Sequence, residues 1–415
     1  MFEISPEIKA LSKKVEAEAL PIFAEIDRIS EKNTEKVLSA FHKYRVSETF
    51  FAGTTGYGYD DKGRDTLDLI YAEIFKAEKA LVRTGFVSGT HAITAALFSA
   101  LRPGDILLSA TGLPYDTLQG VIGITGNYPG SLKYYGIEYR QVDLAADGNP
   151  DYAAIEAAAS DKSIKAVEIQ RSRGYSERRA FSVAEIGGIC EIVRRVNPGA
   201  AIIVDNCYGE FVEETEPTEV GADIVVGSLI KNPGGGLAPT GGYIAGKAEL
   251  VEAASMRLTA PGIGGECGCT LGHNRALYQG LFMAPHTVAQ ALKTAVFCSM
   301  LMGMMGYETH PAPDAKRSDI VQTIKFRDPE LLKRFCRGIQ QGAPIDSYLT
   351  PEPWGMPGYD CEVIMAAGAF IQGASIELSA DGPMRPPYIA FLQGGLTYES
   401  GKLGVMRAAE LLREA

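Results

Sequence analysis

Residues 201–236 read AIIVDNCYGEFVEETEPTEVGADIVVGSLIKNPGGG, two short apolar runs that each lead into unusual chemistry. Ala201 to Val204 is too short for a helix and rich in β-branched side chains, so it predicts a strand buried on both faces, ending on Asp205. Ile224-Val225-Val226 predicts the next strand and runs through Ser228 to Lys231, Asn232, Pro233 and three glycines. A carboxylate closing a buried strand is costly unless a cation or hydrogen-bond donors meet it. A lysine in an otherwise uncharged, glycine-rich loop is expected to be desolvated, which lowers its pKa toward nucleophilic use. A structural ion pair is the competing explanation for each.

The same alternation extends outward. Ile164–Ile169 predicts a strand, and Ser182-Val183-Ala184-Glu185 is a capping box that opens a helix with apolar positions at Ile186, Ile189, Ile192, Val193 and Val196. Asn197-Pro198-Gly199 stops it. From about 65 to 258 the chain therefore predicts an α/β fold, a mostly parallel central sheet with helices on both faces. Before it, Ile8, Leu11, Val15, Leu20, Ile22 and Phe23 mark a helical arm for packing on another domain or subunit, followed by the loop Gly53–Arg64, rich in Gly and Tyr. Beyond about 311, Asp328-Pro329 opens a helix and Gly373–Leu378 predicts a strand, so a smaller C-terminal α+β domain is expected. The expected division is 1–64 for the arm and loop, 65–295 for the large domain and 296–415 for the small one.

With 40 Lys+Arg against 51 Asp+Glu the chain of 415 residues carries a net charge of −11, and 46% of it is hydrophobic. Such proportions exclude wholesale disorder, and the acidic balance offers no footprint for nucleic acid or an anionic membrane. The seven cysteines are scattered, as expected of reduced thiols in a cytoplasmic protein, and the lone Cys267-Gly268-Cys269 pair reads as packing, so no metal is expected.

A third segment completes the chemistry. Ser88-Gly89-Thr90-His91 precedes the predicted helix Ala92–Leu101, where unpaired N–H groups and a close-approaching glycine suit a phosphate dianion, although a plain N-cap has the same sequence. In an open α/β sheet, ligands bind at the carboxyl ends of the strands. A phosphate anchor, an acid at a strand end and a lysine 26 positions later are what pyridoxal 5'-phosphate requires: an anchor, a partner for the ring nitrogen and a Schiff-base amine.

The stretches FVSGTHAITAALFSALRPGD, IQRSRGY, VDNCYGEFVEE, GSLIKNPGGGLAPTGGYIAG, TAPGIG, TPEPWGMPGYD and SIELSADGP, spread over nearly the whole chain, resemble the aluminium-resistance or methionine gamma-lyase family. This family lies in the Cys/Met-metabolism branch of fold-type I pyridoxal-phosphate enzymes. The resemblance implies that Lys231 carries the cofactor and Asp205 pairs with its ring nitrogen. Ser88, Gly89, Thr90 and Ser228 would hold the phosphate, and Tyr115 would stack on the ring and serve in acid–base work. It further implies a homotetramer, a dimer of dimers with shared active sites, in which Tyr57 or Tyr59 and Arg64 reach a neighbour's phosphate.

The chain departs from the branch pattern in three places. Ile230 stands where a hydroxyl residue usually precedes the lysine, Arg173 is the candidate for an Asn near the cofactor's phenolic oxygen, and Arg385 is the nearest candidate for the arginine that holds the substrate carboxylate. The implied activity is that of a carbon–sulfur lyase resembling cystathionine β-lyase or methionine γ-lyase, acting on a small amino acid by β- or γ-elimination. The alternatives are elimination of a halide or other leaving group, and a catalytically silent binding protein of the same fold. Ser228-Leu229-Ile230-Lys231 is also formally the S-x-x-K of serine acyl enzymes, but that motif belongs at a helix start with partner motifs absent here.

Overall fold

The computed structural model describes residues 3–126, 128–356 and 359–413. Its larger sheet contains β1 (Lys79–Arg83), β2 (Ile106–Ser109), β3 (Glu138–Gln141), β4 (Ile164–Gln170), β5 (Ala201–Asp205), β6 (Ile224–Ser228) and β7 (Gly242–Gly246), in the order β1-β7-β6-β5-β4-β2-β3. β7 runs antiparallel to both neighbours, and β3, β2, β4, β5 and β6 are mutually parallel. The strand runs are apolar throughout because each face is covered. On β5, Ile202 and Val204 point into one core and Ile203 into the other, the two-residue period of a pleated strand.

The helices in chain order are α1 (Pro6–Lys43), α2 (Lys62–Ile74), α3 (Gly89–Ala100), α4 (Asp116–Ile122), α5 (Tyr152–Ala159), α6 (Val183–Val196), α7 (Ala248–Leu258), α8 (Asn274–Met304), α9 (Pro329–Gly342) and α10 (Tyr398–Arg413). α3, α4 and α7 cover one face of the sheet, while α2, α5, α6 and most of α8 cover the other. The expected capping box at Ser182 and Glu185 is formed, and Asp328 caps α9 with Pro329 in its first turn. The arm packs within its own chain: α1 lies along α8, and Asn33 Nδ2 donates to the carbonyls of Phe211 and Glu213 at 3.0 and 3.1 Å.

A second sheet, β8 (Glu308–His310), β9 (Gln322–Lys325), β10 (Trp354–Gly355), β11 (Glu362–Ala366), β12 (Ser379–Pro383) and β13 (Ile389–Gln393), packs with α9 and α10 around its own core. Unbroken α8 joins the two: its buried residues up to Val296 belong to the first core, and those from Phe297 to Met302 to the second. α8 is the one described helix long and apolar enough to cross a membrane, but 72% of its most apolar window is buried inside the protein, as in a core helix.

The strand expected at 373–378 is not formed. Gly373 has φ +81, and Glu377 folds back to accept from the backbone N–H groups of Phe370 and Ile371 at 2.8 and 2.9 Å, so the segment turns and β12 begins only at Ser379.

Candidate active site

The carboxyl ends of β4, β5 and β6, the start of α3 and the small domain enclose a cavity of about 350 Å³. Asp205, Lys231, Ser88, Gly89, Thr90, Tyr115 and Ser228 all line it. Residues far apart in sequence meet here because parallel strands in register bring their ends to one edge.

Ser88 is the N-cap of α3 and accepts from His91 N–H at 3.1 Å, leaving the N–H groups of the first turn directed to the cavity edge. A Cβ on Gly89 would lie 3.3 Å from Ser228 Cβ and 3.5 Å from Cys207 Sγ, in the gap between α3 and the end of β6. That gap, bordered by the N–H groups of a twelve-residue helix and the Ser228 side chain, is a cradle for an anion. Tyr115 O–H lies 3.3 Å from Thr90 Oγ1, and its phenol is held well above the usual range by burial and by the Asp205 charge.

Asp205 is 6% exposed and accepts from Cys207 N–H to Oδ1 at 3.1 Å, with the Cys207 side chain as a further hydrogen-bond partner. Burial raises its pKa, and Lys231 draws it back down. A strand-end acid without a full set of partners is suited to a cationic ring N–H.

Lys231 follows β6 in a tight turn, and its Nζ sits 4.0 Å from the centre of the Tyr208 ring. The lowered pKa expected from desolvation is not found. Burial does push the ammonium down, but the Cys207 thiol, the Tyr208 phenol, the Asp205 carboxylate and Tyr115 push it up, and the net shift is well upward. The glycines after Lys231 serve close packing: a Cβ on Gly234 would meet Leu229 O at 1.8 Å, and one on Gly280 of α8 would meet Gly234 O at 2.3 Å.

Of the residues expected at the site, Arg173 and Arg385 do not line this cavity, and Arg64, Tyr57 and Tyr59, expected to reach a neighbour's phosphate, do not line that of their own chain. Arg173 does not line the cavity; its guanidinium reaches Thr323 Oγ1 at 3.4 Å and His310 Nδ1 at 3.1 Å, while Gln170 and Ser172 of the same stretch do line it. Gln170 stands in register with Asp205 and accepts from Tyr115 N–H at 2.9 Å, so register was the signal that could have identified it. Arg385 is half-exposed and paired with Asp360 at 3.1 Å, away from the cavity lining. Arg64 is 2% exposed and committed to its own chain, donating to Gly58 O at 2.6 Å, Gly268 O at 2.9 Å and Asp65 at 2.8 Å. It pins the loop from which Tyr57 and Tyr59 project, stacked on each other and 70% and 55% exposed. His91 Nδ1 accepts from Val87 N–H at 3.4 Å, and its ring meets Phe86 edge-on.

The sequence-based reading had no signal for the far wall, where β12 and β13 present Asp381 and Gln393 and the large domain adds Tyr175.

The methionine gamma-lyase family profile matches residues 8–413, essentially the whole of this architecture. The chain belongs to the methionine gamma-lyase family. YnbB of Bacillus subtilis (strain 168), itself uncharacterised, is 52% identical over 98% of this chain and 97% of its own. A carbon-sulfur lyase involved in aluminum resistance from Clostridium novyi NT is 53% identical, covers 99% of this chain and 97% of its own, and superposes with a TM-score of 0.95. The fold alone is shared with the pyridoxal-5'-phosphate dependent protein YhfS from Escherichia coli, at 18% identity and a TM-score of 0.64 over 94% of this chain and 97% of that one. It is the fold of the type I pyridoxal-phosphate enzymes.

Proposed function

We propose that this family member is a pyridoxal-phosphate-dependent lyase that cleaves a carbon–sulfur bond of a sulfur amino acid. The observation that carries the reading is the convergence of Lys231, Asp205 and the start of α3 on one cavity. The Gly89 gap fits a phosphate, the buried Asp205 on the cavity wall fits a pyridinium nitrogen, and Lys231 fits the carbonyl carbon between them. Bound there, the cofactor supplies an electron sink for the carbanion formed at the substrate's α-carbon.

The protein's own groups do the rest. Gly89 and Thr90 N–H with Ser228 would hold the phosphate, and Asp205 would keep the ring nitrogen protonated. The Lys231 amine would take the α-proton, and with Tyr115 it would return a proton to the departing sulfur. Tyr57 and Tyr59, ordered by Arg64 yet exposed, support a shared site in a homotetramer. The unpaired state of all seven cysteines fits a reducing cytoplasm.

Lys231→Ala tests the reading. It should abolish both the visible absorbance of the cofactor-loaded protein and release of a 2-oxo acid from cystathionine, cystine or methionine; survival of both would refute it. The carbon skeleton of the 2-oxo acid separates β- from γ-elimination.

A further inference from the structure

The cavity has an uneven charge inventory. Among its described lining residues Lys231 is the one cation, and no arginine is present, whereas two carboxyl groups, Asp205 and Asp381, face it from opposite walls. The first is matched by a cofactor ring nitrogen. The second feels the Lys231 charge but forms no ion pair among the described residues.

Asp381 stands on β12 of the small domain, 9% exposed. Its Oδ2 accepts from Tyr175 O–H at 3.0 Å and Gln393 Nε2 at 3.1 Å, so the carboxyl is clamped in one orientation. Its Oδ1 receives no hydrogen bond from the described residues. Burial lifts its pKa to about 6, which leaves it negatively charged at neutral pH. A clamped carboxylate with one oxygen unclaimed on a cavity wall is a costly arrangement unless a ligand completes it.

We propose that Asp381 is a specificity determinant that receives a second ammonium group, carried by the substrate beyond its sulfur atom. The inference rests on the lyase reading and narrows it to thioethers or disulfides with an amino group at each end. Substrates lacking the distal amine leave Asp381 buried opposite an apolar or anionic group and are disfavoured.

The discriminating pair is cystathionine and S-(3-carboxypropyl)cysteine, which differ only by the distal amine. Loss of one charge-assisted hydrogen bond predicts that the loaded wild type prefers cystathionine by about 10- to 100-fold in kcat/KM. Asp381→Asn should erase that preference through the KM for cystathionine, while kcat/KM for the deamino compound stays within about threefold of wild type. Equal use of both compounds by the wild type, or an equal loss for both in the variant, overturns the inference. If neither compound is cleaved the lyase reading fails separately. Calorimetric binding of the pair to Lys231→Ala protein with added pyridoxal phosphate then decides: a preference for the diamine upholds the role of Asp381, and equal affinity overturns it.

Discussion

Glu210, five residues beyond Asp205, lies fully buried beneath the site and should make stability fall as pH rises. Tyr243 O–H donates to its Oε1 at 2.9 Å, Oε2 is buried without a partner, and burial together with the Glu216 charge lifts its pKa from 4.5 to about 8. A carboxyl whose folded pKa is raised binds its proton more tightly in the folded state. Its contribution is therefore fully present below the unfolded value of 4.5 and is lost as pH climbs through about 8. From the two values, the loss reaches about 3 kcal/mol by pH 7 and approaches about 5 kcal/mol above pH 8. Glu210→Gln keeps the acceptor for Tyr243 and removes the titration. Relative to wild type it should gain about 3 kcal/mol between pH 5.5 and 9. Urea unfolding of both proteins across that range, with infrared difference spectra for a protonated carboxyl at pH 6.5, provides the assay. A constant stability difference, with no carboxylic-acid band lost in the variant, would refute the reasoning. The outcome bears on the site, because a neutral Glu210 leaves balancing the Lys231 charge to Asp205 and the cavity's other polar groups.

Two further substitutions probe the scaffold. Arg64→Lys cannot reproduce the fork to Gly58, Gly268 and Asp65, so it should cost about 3 kcal/mol and expose the Gly53–Lys62 loop to protease, and an unchanged Tm with equal resistance would show that the fork is dispensable. Gly227→Ala places a Cβ 2.3 Å from Glu210 Oε1 and 2.4 Å from the Tyr243 ring, both buried, so a loss of at least about 3 kcal/mol is expected, and a wild-type Tm would contradict it.

The chain by itself determined the layered fold, because strands buried on both faces must be continuously apolar and several helices carry their own N-caps. Ala201–Asp205, Ile224–Ser228 and the Ser182 box were legible for that reason. It also determined the centre of the site, since an acid closing a buried strand and a lysine in a glycine-rich loop are anomalies that local packing does not explain. Tertiary structure decided the rest. The direction of the Lys231 shift depends on the groups converging around it, whereas burial alone predicts the opposite sign. The position of Arg173 depends on His310 and Thr323, and that of Arg64 on carbonyls some 200 residues away. The far wall was illegible because Asp381 meets Tyr175 across 206 positions, and only the folded chain shows that this carboxylate faces Lys231's cavity with one oxygen unclaimed.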